Sequence, residues 1–107
     1  MIGVSCDSVY SHKAWVERGD LKGVRYPLLA DYTKQIARDY GVLDDEKGLA
    51  HRGTFLIDPK GVVQFQVVSA LGVGRSVDEM LRTLDALQTG ELCPANWKPG
   101  EKTLSKK

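Results

Sequence analysis

Cys93 stands in Glu91-Leu92-Cys93-Pro94-Ala95-Asn96-Trp97-Lys98-Pro99-Gly100, a stretch broken by two prolines and a glycine. Such a segment can extend but can build no core, so its thiol is placed to reach another sulfur rather than to pack. Arg52 opens the second candidate stretch, His51-Arg52-Gly53-Thr54-Phe55-Leu56-Ile57-Asp58. A guanidinium fixed at a sheet edge lowers the pKa of a neighbouring thiol, and its planar donors can bond an oxygen of a small substrate. Arg75 lies in Gly72-Val73-Gly74-Arg75-Ser76-Val77-Asp78-Glu79, just ahead of a helix start, where the macrodipole disfavours a cation. A residue set against its local field points to another role. Each has a plainer assignment: a weak exposed ion pair for Arg52, a surface arginine for Arg75, an inert surface thiol for Cys93.

The remaining candidates read as structural. Cys6 lies inside a strand pattern where small apolar residues also fit, and is expected in the core. His12 is expected on a helix surface, Trp15 in the core, and Trp97 as a packing anchor for the tail. His51 neighbours Arg52, but nothing in the sequence makes it a base. Cys6, Cys93, His12 and His51 do not have metal-ligand spacing, and no cofactor is implied. Gly72 and Gly74 permit a tight approach, but they are not followed by the third glycine of a phosphate loop.

The elements that must position these side chains follow in order. Ile2–Asp7 reads as a short buried strand. Ser8–Arg18 reads as a helix capped by Asp7 or Ser8 and stopped near Gly19, with Val9, Ala14 and Trp15 inward. Residues 19–27 are loop, Leu28–Ala30 a brief strand, and Thr33–Tyr40 a helix capped by Asp31 and ended by Gly41. Leu43–Gly48 reads as a charged, exposed loop. Residues 53–68 form a hairpin about the turn Asp58-Pro59-Lys60-Gly61. Ser76 and Glu79 make a capping box for a helix to about residue 89, with Val77, Met80, Leu81, Leu84 and Leu87 on one face. Gly90 ends it, and an irregular, lysine-ended tail follows. The order is β-α-β-α-β-β-α plus a C-terminal tail. Pattern alone gives an α/β fold with a mixed sheet, one domain over 1–90 and the tail over 91–107.

Composition excludes several classes. The 107 residues are 42% hydrophobic and 27% charged, the range of globular proteins. A net charge of +1 gives no electrostatic case for nucleic acid or an anionic membrane. No apolar run approaches the roughly 18 residues that span a bilayer. Met1-Ile-Gly-Val-Ser5 lacks the basic region of a signal peptide. Two cysteines are too few for a secreted disulfide framework and suit a reducing, cytoplasmic setting.

Over nearly its whole length the chain resembles typical two-cysteine peroxiredoxins of the alkyl-hydroperoxide-reductase type. The ten residues Glu91–Gly100 are similar to that family's resolving-cysteine tail. Arg52-Gly-Thr-Phe-Leu-Ile-Asp58 resembles its Arg-Gly-Thr/Leu-Phe-Ile-Ile-Asp motif, and Val73-Gly-Arg-Ser-Val-Asp-Glu79 its Val-Gly-Arg-Ser-Val-Asp-Glu motif. Val4-Ser-Cys-Asp-Ser8 matches Val-Ser-x-Asp-Ser, with Cys6 at the variable position, which argues against catalysis by Cys6. The resemblance implies a partial thioredoxin-like fold, a hydroperoxide substrate and a thioredoxin-like reductant. It implies that Arg52 is the active-site arginine, that Arg75 supports it, and that Cys93 resolves the sulfenic acid on a partner subunit's cysteine. It also implies a homo-oligomer paired through the edge strand 62–68.

Two departures qualify this. The family's Pro-x-x-x-Thr-x-x-Cys loop, which carries the peroxide-attacking cysteine, does not occur in residues 1–107. Family topology puts the strand leading to that loop between the strands at 2–7 and 54–58. The Gly-Gly-Leu-Gly loop and Tyr-Phe helix of overoxidation-sensitive members are also absent. The chain is therefore expected to act as the C-terminal part of a peroxidase and to be inactive alone. The alternative is a non-enzymatic truncated subunit that associates through strand 62–68 or forms a mixed disulfide through Cys93. A nucleotide-binding domain has only Gly72-x-Gly74 in its favour.

Overall fold

Gly3–Ser5 (β1) and Leu28–Ala30 (β2) pair in parallel, Gly3 opposite Leu28 and Ser5 opposite Ala30. Parallel neighbours need a crossover, and the helix Val9–Arg18 (α1) supplies it. Side chains crowd Gly3, where a Cβ would fall 2.8 Å from Leu28 Cδ2 and 3.1 Å from the Tyr26 ring. These features come from a computed structural model that describes residues 1–106; the predicted tail's last lysine, Lys107, lies outside the described residues. The chain forms two compact units, Met1–His51 and a second that begins at Arg52.

In the first unit, β1 is shorter than expected. Its last ladder bond runs from the Asp31 N–H to the Ser5 carbonyl at 2.7 Å, after which Cys6 and Asp7 bend away. Ser8 caps α1 by accepting from the Ser11 N–H. The inward face of α1 corrects the sequence reading. Val9, Ala14 and Trp15 are exposed, and His12 is buried. Ser8, His12 and Val16, spaced by four, face inward, and hydrophobicity cannot find a face built on serine and histidine. Asp31 caps the short helix Gln35–Asp39 (α2): its Oδ1 accepts from the Ile36 N–H at 3.0 Å and its Oδ2 from the Ala37 N–H at 2.8 Å. Gly41 follows at φ 72°. Leu43–Gly48 is not plain loop. Leu43–Asp44 (β3) and Leu49–Ala50 (β4) pair antiparallel around a turn in which Asp44 Oδ1 accepts from the Glu46 and Lys47 N–H groups.

The second unit begins with Arg52–Ile57 (β5) and Val63–Ser69 (β6), an antiparallel pair with Arg52 opposite Ser69 and a register shift at Leu56/Ile57. Asp58 closes the turn, its Oδ1 accepting from the Lys60 and Val62 N–H groups at 2.9 Å each and its Oδ2 from the Gln64 amide at 3.0 Å. Among the described residues β6 pairs along one edge only. Parallel and antiparallel pairs both occur, as a mixed sheet requires, but they sit in separate two-stranded sheets.

Val77–Thr89 (α3) starts at Ser76, whose Oγ accepts from the Glu79 N–H, and ends at Gly90 in the left-handed region, φ 68°. The capping box is half made, because the Glu79 carboxylate turns to Arg82 instead of back to Ser76. The apolar face of α3 is also corrected. Met80 and Leu87 are half-buried, but Val77, Leu81 and Leu84 are exposed, and Thr83 is the buried position.

The tail is not irregular. Glu91–Leu92 (β7) pairs antiparallel with Ser105–Lys106 (β8), and the Leu104 N–H bonds the Leu92 carbonyl at 2.7 Å. Thr103 Oγ1 donates to the Glu91 carboxylate. Trp97 is 4% exposed and anchors the loop between these strands, as its apolar bulk suggests.

Candidate active site

Three places hold the candidate chemistry. The first is the start of β5. Arg52 is exposed, and its Nε lies 3.4 Å from the Leu71 carbonyl, a long bond. Arg75 Nη2 donates to the Gly53 carbonyl at 3.2 Å. Arg75, 23 positions further along the sequence, thus bonds the residue next to Arg52. Among the described residues neither pairs with a carboxylate, so both keep donors for another partner. Arg75 reaches back over β5 rather than lying against the α3 N-terminus, which relieves the conflict with the macrodipole. Gly72 and Gly74 serve no tight approach here, since a Cβ on either would meet nothing within 4 Å.

The second place is Cys93, at the other end of α3. Helix α3 runs thirteen residues from Val77 to Thr89, about 20 Å at the rise of an α-helix. The sulfur is half-buried. It lies 3.6 Å from Thr89 Oγ1, donates weakly to the Ala86 carbonyl at 3.8 Å, and lies 3.9 Å from the Glu91 carbonyl. Cys93 therefore packs, contrary to the sequence expectation of a thiol on an extended segment. Thr89 and Ala86 were missed because they act through position rather than type. Arg82 was also missed, although its place three residues after Glu79 is a legible ion-pair spacing. Its guanidinium grips both Glu79 oxygens at 2.8 Å and donates a third bond, from Nη1, to the Trp97 carbonyl at 2.9 Å. The hydrogen bonds to Glu79 hold Arg82 above its ordinary pKa; the Cys93 sulfur adds a small electrostatic contribution of the same sign.

The third place is Cys6, half-buried past the end of β1 rather than within the strand. Burial pushes its thiol up, the Asp31 carboxylate pushes further, and Lys34 with a backbone hydrogen bond at Ala50 offsets part of this. A thiol so placed is held in the unreactive protonated form. His12, placed on the surface by sequence, is 6% exposed; Ser5 Oγ lies 2.5 Å from its Nε2, and its Nδ1 has no partner among the described residues. His51 Nε2 stands 3.9 Å from Asp44. Among the described residues no group of three His, Cys, Asp or Glu side chains could hold a metal, and no helix is long and apolar enough to cross a membrane.

The profile of the AhpC/TSA family matches residues 1–66, and that of the C-terminal domain of 1-Cys peroxiredoxin matches residues 86–107. The chain is 52% identical over 112 residues to a chloroplastic 2-Cys peroxiredoxin BAS1 of Hordeum vulgare, covering 97% of this chain and 53% of that one. It is also 52% identical over 112 residues to a thioredoxin peroxidase of Echinococcus granulosus, covering 97% and 58%. The reduced 2-Cys peroxiredoxin of Plasmodium vivax superposes with a TM-score of 0.85 at 43% identity, over 94% of this chain and 56% of that one. Mycobacterium tuberculosis AhpC gives 0.80 at 45%, over 91% and 55%. The chain thus spans about half the length of the curated relatives it matches.

Proposed function

The chain belongs to the AhpC/TSA family, the peroxiredoxins, with their thioredoxin-like α/β fold, and from that premise we propose that it supplies the resolving thiol and the active-site arginines of a thioredoxin-dependent hydroperoxide reductase. The attacking cysteine comes from a segment outside these 107 residues. Its thiolate takes one peroxide oxygen and becomes a sulfenic acid, while the other oxygen leaves as alcohol or water. Arg52, supported by Arg75, holds that thiolate and the peroxide oxygens. Cys93 then attacks the sulfenic sulfur: an S–S bond forms, the S–O bond breaks, and water leaves. A thioredoxin-like dithiol reduces the disulfide, and a reducing compartment such as the cytoplasm suits the two free cysteines.

The observation that carries this reading is the separation of Cys93 from the arginines by the length of α3. The charge of Arg52 and Arg75 is therefore not arranged to activate Cys93. Cys6 is a poor substitute for the attacking thiol, since burial and Asp31 hold it protonated. Subunits associate through the open edge of β6, where strand pairing would continue the sheet into a second copy.

The test is peroxide consumption by the 107-residue chain, coupled to thioredoxin and its reductase. The expected result is no turnover above a thiol-only control, with activity appearing when the chain is joined to a family segment bearing the attacking cysteine. Turnover by the chain alone that disappears in Cys6→Ser would overturn the assignment.

A further inference from the structure

A guanidinium that is itself fixed helps fasten the tail holding Cys93 to α3. Arg82 Nε and Nη2 bond the two Glu79 oxygens as a planar fork, which leaves the Nη1 N–H aimed in one direction, at the Trp97 carbonyl. Glu79 is steadied in turn. Thr83 Oγ1 lies 3.5 Å from its Oε1. On the tail side, the buried Trp97 indole donates to the Glu101 carbonyl at 3.0 Å, and Trp97 N–H to the Pro94 carbonyl at 3.1 Å. Cys93 immediately precedes that turn, with its sulfur against Thr89 and Ala86 of the same helix.

We propose that Arg82, oriented by Glu79, is a positioning residue for Cys93: it holds the Pro94–Trp97 turn on α3 and so sets how often the sulfur is presented to a second sulfur. This rests on the resolving role proposed above, but its test does not need that role. A lysine can replace Arg82 only in part, because it lacks the fork that fixes direction while leaving a third donor free. A carboxylate-bearing neighbour alone cannot replace it either, since the tail offers a carbonyl, which needs a donor.

The test is alkylation of the 107-residue chain by iodoacetamide, with Cys93 and Cys6 peptides quantified separately by mass spectrometry from pH 6 to 10. The midpoint of the rate profile reports the thiol's ionisation, and its upper plateau reports access. Arg82→Gln should raise the Cys93 plateau about ten-fold, equivalent to ~1.4 kcal/mol, and leave the Cys6 rate unchanged. Glu79→Gln should give a similar rise, the double variant no more than either, and Arg82→Lys a value in between. Ser76→Ala weakens the same helix without touching the fork and should leave the plateau within about two-fold. A shifted midpoint with an unchanged plateau would overturn the proposal, as would a Ser76→Ala plateau as high as that of Arg82→Gln. Circular dichroism identifies any variant that has unfolded. If Arg82→Gln unfolds, Glu79→Gln, which frees the guanidinium without deleting it, decides the matter. Failure of the resolving role would show separately, as a disulfide that forms without Cys93.

Discussion

Arg75 Nη2 donates to the carbonyl of Gly53 at 3.2 Å, which ties the loop ahead of α3 to the strand residue next to Arg52. In a peroxidase-competent protein Arg52 would face the reacting oxygens and Arg75 would act by holding the β5 entry. Arg52→Ala should then lower the peroxide rate constant by about 10²–10³, the cost of a preorganised donor. Arg75→Ala should cost less, with a smaller share in binding. Stopped-flow peroxide kinetics on both variants checks the order; equal losses would mean that Arg75 touches the peroxide itself.

Helix α3 depends on its cap. Ser76→Ala removes the acceptor for the Glu79 N–H and should cost about 0.5–2 kcal/mol in urea denaturation. A loss near zero would mean that the helix is held by the Arg82 fork rather than by its first turn.

In the first unit, Asp31 is 4% exposed and accepts from two N–H groups of α2, one of them on buried Ala37. Asp31→Ala should cost about 1–3 kcal/mol, the penalty for leaving a buried donor unpaired. Denaturation monitored separately for each unit should show the loss in residues 1–51.

Much of this was legible in the sequence. Ser76, Gly90, Gly41 and the Asp58–Gly61 turn are local signals that need no tertiary knowledge, and all four stand where the sequence puts them; Asp31 does accept from N–H groups of α2, but that helix begins at Gln35 instead of Thr33. The misses on the two helix faces share one cause. The inward faces of α1 and α3 run through His12, Thr83 and Arg82, polar residues whose burial depends on a partner: Ser5 for His12, Trp97 for Arg82, and for Thr83 the Glu79 carbonyl on its own helix. Apolar periodicity cannot see such faces. The tail looked extendable from its prolines and glycine; Trp97 and the β7–β8 pair close it. The site motifs were legible, but the distance from Cys93 to the arginines needed the helix between them.

Acid should loosen the tail clamp. Hydrogen bonds from Arg82 hold the Glu79 carboxyl below its ordinary value, and bonds from Val62 and Gln64 do the same for Asp58. A carboxyl depressed in the folded state contributes stability above its unfolded value, near ~4, and loses it as pH falls through the folded value. Thermal midpoints should therefore drop below about pH 4, and Glu79→Gln should flatten part of that drop. An identical acid profile in the variant would remove Glu79 from the account.

Association through β6 is open to a proline test. Consecutive N–H groups of a strand point to opposite edges, so either Phe65 or Gln66 directs its N–H away from β5. Proline at the outward position leaves the β5 ladder intact and should abolish dimers in sedimentation. Unchanged dimers would place the interface elsewhere.

The most direct test of the account is to follow sulfur through one turnover. The chain, joined to a family segment bearing the attacking cysteine, is treated with one equivalent of hydrogen peroxide, and its cysteine peptides are mapped without reduction. The predicted product is a disulfide between the attacking cysteine and Cys93, while Cys93→Ser stops at a sulfenic acid that a dimedone probe traps. A disulfide to Cys6, or one that still forms in Cys93→Ser, would contradict the assignment of Cys93 as the resolving thiol.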